Sequence, residues 1–355
     1  MQRSDSDSDK AFPTEGLLGF IGRSPTNPDF DEWLGTLRIR HRPFTAEEDE
    51  YFKRDPYRAG RNAQASEVDE VERHSLALIY DAKELYWSLV AKPDEVPPLD
   101  PGAFILREVA FFAPGFQSYR GFDGPLPAGL RFGQSAAEAK ALLGEPLARR
   151  NVQELMSLLW APEDWVLNAS FFDGEDDLGV VHLRRQNIYD RRMLGTESMP
   201  PDEERGDPNM AINALGRSLV GALAAETLAP IGWSAKLFDF SNAGEITHYM
   251  PSHGVTLYVG EHGRPNSTLT GIRFNRRGDM KSAGFEGRMP HGIEFHDTPT
   301  VVEQRIGRRP DKITQAPDTG SYLWTMDGYD LHVMFSLIDY QVYRVSLFLP
   351  HSPNA

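Results

Sequence analysis

Two stretches of the chain share one alternation of apolar and polar positions. Trp165-Val-Leu-Asn-Ala-Ser-Phe171 puts Trp, Leu, Ala and Phe on one side of an extended segment, and Tyr329-Asp-Leu-His-Val-Met-Phe335 puts Tyr, Leu, Val and Phe there. A period of two is that of a half-buried strand. Residues 180–183 and 342–348 are apolar enough to return beside them, so each half is expected to hold a hairpin. Ahead of the hairpins, Ser135-Ala-Ala-Glu138 is a capping-box pattern, and Thr298-Pro299 offers an N-cap followed by proline at the first helical position. These signals predict short helices over 136–143 and 299–306, closed by Gly144 and Gly307 in left-handed conformation. Upstream, 76–89 reads as strand–turn–strand around Asp81-Ala-Lys, and 254–260 with 268–274 reads the same way. Helices are expected at 28–37 and 211–228. A sheet with one apolar face must be covered, and short helices are the available cover.

The resemblance between the halves is a true repeat. Residues 107–144 recur ungapped 163 positions later, with nine identities in 38 positions. Phe111, Gly115, Gly121, Phe122, Gly124, Pro127, Gly129, Phe132 and Gly144 meet Phe274, Gly278, Gly284, Phe285, Gly287, Pro290, Gly292, Phe295 and Gly307. After one inserted residue the match continues at an offset of 164, where Trp160 meets Trp324 and Leu167 meets Leu331. The fold class that follows is α+β, a tandem duplication of a module in which short helices cover an antiparallel sheet. Each half is expected to contain two small helix-plus-sheet units side by side. Residues 1–14 read as a disordered tail, 15–186 as the first half, 187–208 as a linker and 209–350 as the second half. The linker reading rests on Met199-Pro-Pro-Asp-Glu-Glu-Arg-Gly-Asp-Pro, which has no apolar periodicity.

Leu126-Pro-Ala-Gly-Leu-Arg-Phe132, Ser135 to Glu138, Leu142-Leu-Gly-Glu-Pro146 and Leu159-Trp160 form a pattern that resembles proteins with the beta-lactamase-inhibitor-protein-like fold. It is also similar to immunity proteins found with bacterial polymorphic and type VI secretion toxins. The second copy departs from it at Arg308-Arg-Pro310. The resemblance covers about half the chain and rests on structural residues. It implies a fold and a binding habit, and it transfers no active site.

Composition narrows the choice of partner. The 355 residues carry a net charge of −15 and no cysteine. Residues 1–186 hold 32 acidic against 21 basic groups, net −11, and residues 187–355 hold 20 against 16, net −4. A nucleic-acid or anionic-membrane binder needs a basic face, so neither is expected as a direct partner, whereas a basic protein is. The absence of cysteine suits a reducing compartment. Met1 to Lys10 is rich in Ser and Asp with no apolar run, so a cytoplasmic location is expected.

Candidate chemistry is sparse. No nucleophile elbow, phosphate loop or dinucleotide fingerprint occurs, and no catalytic residue, metal or cofactor is expected. His291, Glu294, His296 and Asp297 cluster within seven residues, but their counterparts Ala128, Arg131, Gly133 and Gln134 could not ligate a metal in the same way. A metal-dependent hydrolase is therefore the third reading, behind a scaffold or small-ligand protein of this fold. Partner contact is expected instead at Glu47, Glu48, Asp49, Glu50 and Tyr51, where an aromatic adjoins carboxylates. Asp173, Glu175, Asp176 and Asp177 at a hairpin tip are the second candidate, with Asp202-Glu-Glu204 beside them in kind. The expected function is that of an immunity protein occluding a cognate cytosol-acting toxin, with a basic nuclease domain as the best match.

Overall fold

The computed structural model describes residues 14–43, 66–92, 94–152, 155–172, 176–231, 233, 246–260, 268–279, 282–315, 319–336 and 339–350. The chain divides into two compact units, residues 1–187 and 188–355. The tail expected at 1–14 lies outside the described residues except Thr14, which is buried and opens a helix.

The first unit holds helices α1 (Thr14–Leu18), α2 (Pro28–Thr36), α3 (Lys83–Val90) and α4 (Ala136–Leu143). Its strands are β1 (Ser66–Val71), β2 (Leu76–Ala82), β3 (Phe104–Phe112), β4 (Ala148–Val152), β5 (Leu155–Trp160), β6 (Trp165–Phe172) and β7 (Asp177–Arg185). They form one antiparallel sheet ordered β1-β2-β3-β7-β6-β5-β4. The second unit holds α5 (Ile188–Met193), α6 (Met210–Ala214), α7 (Ala222–Leu228) and α8 (Pro299–Ile306). Its strands are β8 (Ile246–Met250), β9 (Val255–Val259), β10 (Leu269–Asn275), β11 (Lys312–Gln315), β12 (Thr319–Thr325), β13 (Asp330–Ser336) and β14 (Val342–Phe348), ordered β8-β9-β10-β14-β13-β12-β11. The two orders are the same topology. Each half is thus one continuous sheet, not the two small units expected from sequence, because β3 and β10 bridge the upstream hairpin to the downstream one.

Register confirms the duplication residue by residue. Val109 and Phe111 pair with Leu183 and Val181, and Ile272 and Phe274 pair with Leu347 and Val345. Leu167 faces Leu183 and Leu331 faces Leu347, each ladder shifting at the same place, Ser170/Phe171 and Met334/Phe335. The alternation that predicted the hairpins now has a cause. Leu167, Ala169 and Phe171 enter the first core beside Leu17, Phe30 and Leu34 of the covering helices, while Leu331, Val333 and Phe335 are buried in the second unit.

Both predicted caps form. The Ser135 hydroxyl accepts from the Glu138 amide while Glu138 accepts from the Ser135 amide, and Thr298 accepts from the Val301 amide. Gly307 is left-handed as expected, whereas Gly144 has a positive φ with an extended ψ and so ends its helix differently. Residues 83–90 are helical rather than a second strand, since Tyr86, Trp87 and Val90 share one helical face and bury against Ile105. The helix expected over 211–228 is two helices broken at Gly216, whose φ is 77°.

The segment expected to be a linker is packed into the second unit. Tyr189 and Asp190 on α5 are buried, Tyr189 Oη accepts the Arg277 amide at 2.9 Å, and Asp190 accepts from Gln341 at 3.2 Å. Few apolar side chains were needed for this, which is why periodicity did not reveal it. Among the described residues no helix is long and apolar enough to cross a membrane.

Candidate partner-binding site

Of the residues singled out for partner contact, Glu47, Glu48, Asp49, Glu50, Tyr51, Asp173 and Glu175 lie outside the described residues. Asp176 and Asp177 are exposed at the β6–β7 turn. Asp202 and Glu203 are exposed on a 3₁₀ turn, and Glu204 ends it.

The His291–Asp297 cluster is a structural joint. Asp297 is 3% exposed; it accepts the Glu294 amide at 2.8 Å and pairs with Arg305 at 2.8 Å. Gln134, its counterpart, accepts the Arg131 amide at 3.1 Å, so both copies tie this turn with a side-chain oxygen. Both carboxylate oxygens of Glu294 accept from Arg205 Nη2, at 2.8 and 2.7 Å. His291 meets the Tyr329 hydroxyl at 2.8 Å. Burial pushes both His291 and His296 below the usual imidazole range. Among the described residues no three His, Asp or Glu side chains are placed to hold one metal ion.

A second ionic cluster, missed from sequence, lies on the first sheet's other face. Glu108 on β3 has no exposed surface; one oxygen is 2.6 Å from His182 Nδ1 and the other 3.4 Å from Arg107. Arg107 also reaches Asp81 at 3.1 Å. Burial disfavours the charged carboxylate, yet the His182 hydrogen bond and the charges of Arg107, His182 and Arg184 outweigh it, bringing Glu108 down to about 2. The second copy has Gly271, Ser346 and Phe348 at the positions of Glu108, His182 and Arg184. The adjacent charges of Arg107 and Glu108 gave no signal of this grouping, because Asp81, His182 and Arg184 come from other strands.

A hollow of about 770 Å³ opens in the second unit. Met210 of α6, Ile231 and Phe285 supply its apolar floor, all nearly buried. Leu223, Glu226 and Thr227 of α7 form one wall, and Glu204 to Asp207 another. Arg205 holds this second wall to the repeat loop: its Nε donates to the Glu286 carbonyl at 3.1 Å and its Nη2 to the Gly287 carbonyl at 3.2 Å. Its guanidinium is therefore spent. Glu286 is shared by Arg192 at 3.2 Å and Arg277 at 3.4 Å. Among the described residues Glu204, Asp207 and Glu226 enter no ion pair, so the rim is acidic.

No family model and no curated protein matches this chain. Among solved structures, a DUF4309 family protein (YjgB) from Bacillus subtilis subsp. subtilis str. 168 is similar over 36% of this chain and 77% of that chain, at 19% identity and a TM-score of 0.23.

Proposed function

We propose that this protein is a non-catalytic immunity protein that binds a cognate cytosol-acting toxin, a basic nuclease domain, and blocks its substrate groove. The observation that carries the reading is the contrast within the second unit. The group of ionisable side chains around Asp297 is closed by internal ion pairs, whereas the hollow beside α7 presents carboxylates that enter no ion pair among the described residues, over an apolar floor. Apolar anchoring surface with a charged rim is the anatomy of a protein-binding patch. The net charge of −15 supports a basic partner by raising the encounter rate. The resemblance of the Leu126–Trp160 motif to toxin-linked immunity proteins supplies the class. A nuclease follows because phosphate binding obliges such a toxin to carry a basic groove.

Co-expression with the product of the adjacent gene tests this. A stoichiometric complex on size exclusion, together with relief of that product's toxicity, is expected. Absence of a complex with toxicity unchanged would overturn the reading.

A further inference from the structure

The two halves correspond further upstream than the repeat first indicates. Gly22-Arg23-Ser24 and Gly216-Arg217-Ser218 are identical in sequence, and two backbone hydrogen bonds tie each in the same way. Gly22 donates to the Leu106 carbonyl at 2.8 Å and Leu106 donates back to Arg23 at 2.9 Å; Gly216, Leu269 and Arg217 make the same two bonds, both at 2.9 Å. Helices α2 and α7 begin at the same distance beyond, at Pro28 and Ala222. Trp33 therefore corresponds to Thr227, and Gly16 to Met210.

In the first half the Trp33 indole lies over Gly16, so closely that a Cβ there would stand 2.9 Å from Nε1. The ring also packs with Phe20 and Phe30, at centroid distances of 5.6 and 6.3 Å. The second half has no indole at this place. Thr227 stands there, and the hollow opens beside it. The pair Gly16 and Trp33 is thus replaced by Met210 and Thr227, a longer residue on the floor and a shorter one on the wall.

We propose that the hollow of the second half receives an aromatic side chain flanked by lysine or arginine, presented by a segment of a partner protein. The aromatic ring would lie beside Thr227 and over Met210 and Ile231, further out than Trp33, because Met210 carries a side chain where Gly16 has none. The flanking cations would meet Glu204, Asp207 and Glu226, which no arginine or lysine among the described residues neutralises. An anionic ligand would face these same carboxylates with no free guanidinium, since Arg205 is committed to Glu294. The inference rests on the proposed function only for the identity of the protein that supplies the segment.

Synthetic peptides and the full chain provide the test. Acetyl-Lys-Trp-Lys-amide should bind saturably and shift the Met210 methyl resonance, while acetyl-Lys-Ala-Lys-amide and acetyl-Glu-Trp-Glu-amide should not. The double variant Met210→Gly/Thr227→Trp, which restores the first half's plug, should weaken binding about tenfold or more. Leu223→Lys, at a half-exposed wall position, should do the same if the double variant misfolds. Full affinity in a folded variant, equal binding of the Glu-Trp-Glu peptide, or no saturable binding at millimolar peptide would each overturn the site. The toxin complex separates the two readings. A complex that survives both variants removes the hollow from the interface and leaves the immunity reading standing. Peptide binding as described without any toxin complex removes the immunity reading and leaves the site.

Discussion

Glu108 is a carboxylate with no access to water, kept ionised by His182, Arg107 and Arg184. Its folded-state value of about 2 lies below the ordinary 4.5, so the stability it contributes is present above about pH 4.5 and is lost as pH falls towards 2. Glu108→Gln would remove the carboxylate that offsets the charge of buried Arg184 and would leave Arg107 to Asp81. It should cost about 3 kcal/mol at neutral pH, and the difference from wild type in urea titrations should shrink steadily below pH 4.5. Gly254 and Ser75 make a second comparison at this scale. Both precede the first pairing of a strand and both have positive φ, 67° and 53°. A Cβ on Gly254 would overlap the Phe285 amide nitrogen, so Gly254→Ala should cost about 3 kcal/mol or more by thermal unfolding. Ser75→Gly should stay within about 1 kcal/mol, because relief of the strained φ offsets loss of the hydroxyl that accepts the Gly121 amide at 3.0 Å.

The elements that sequence revealed are those whose determinants are local. Helices α4 and α8 were legible from their caps, and the β6–β7 and β13–β14 hairpins from strict alternation. Trp160 and Trp324, matched in the repeat, are both buried, and each closes its helix as well. Their indole N–H groups donate to the carbonyls of Gly144 and Arg308, at 2.9 and 3.2 Å. Trp160→Phe and Trp324→Phe should each cost about 1–2 kcal/mol, alike in the two halves, when chemical denaturation curves are compared. What was not legible depends on partners remote in sequence. Helix α3 was read as a strand because Asp81-Ala-Lys looks like a turn, and Ile105, which its apolar face covers, comes from another strand. The hollow could not be read at all. It is lined by Met210 and Thr227 where the first half has Gly16 and Trp33, and neither residue by itself carries a sign of what stands at its counterpart.

At the scale of the whole molecule, the boundary between halves falls just before Ile188, and the packed segment after it belongs to the second unit. A fragment of residues 188–355 should fold with one cooperative transition. A fragment beginning at 209 lacks Tyr189 and Arg205 and leaves Glu294 without its guanidinium, so it should be markedly less stable or unfolded by circular dichroism. The shared strand order has a price during folding as well. Two sheets built to one plan offer each newly formed strand a near-identical wrong neighbour from the other half. The cluster around Glu108 makes that error costly. In the correct ladder Glu108 stands opposite Arg184, and Gly271 opposite Phe348, whose ring fills the space a side chain on Gly271 would need. If β3 joined β14 instead, a buried carboxylate would meet that ring and lose His182 and Arg184. The charges that the second half lacks therefore act as a sorting label between twin sheets, and a chain stripped of them should refold with a larger misassembled fraction.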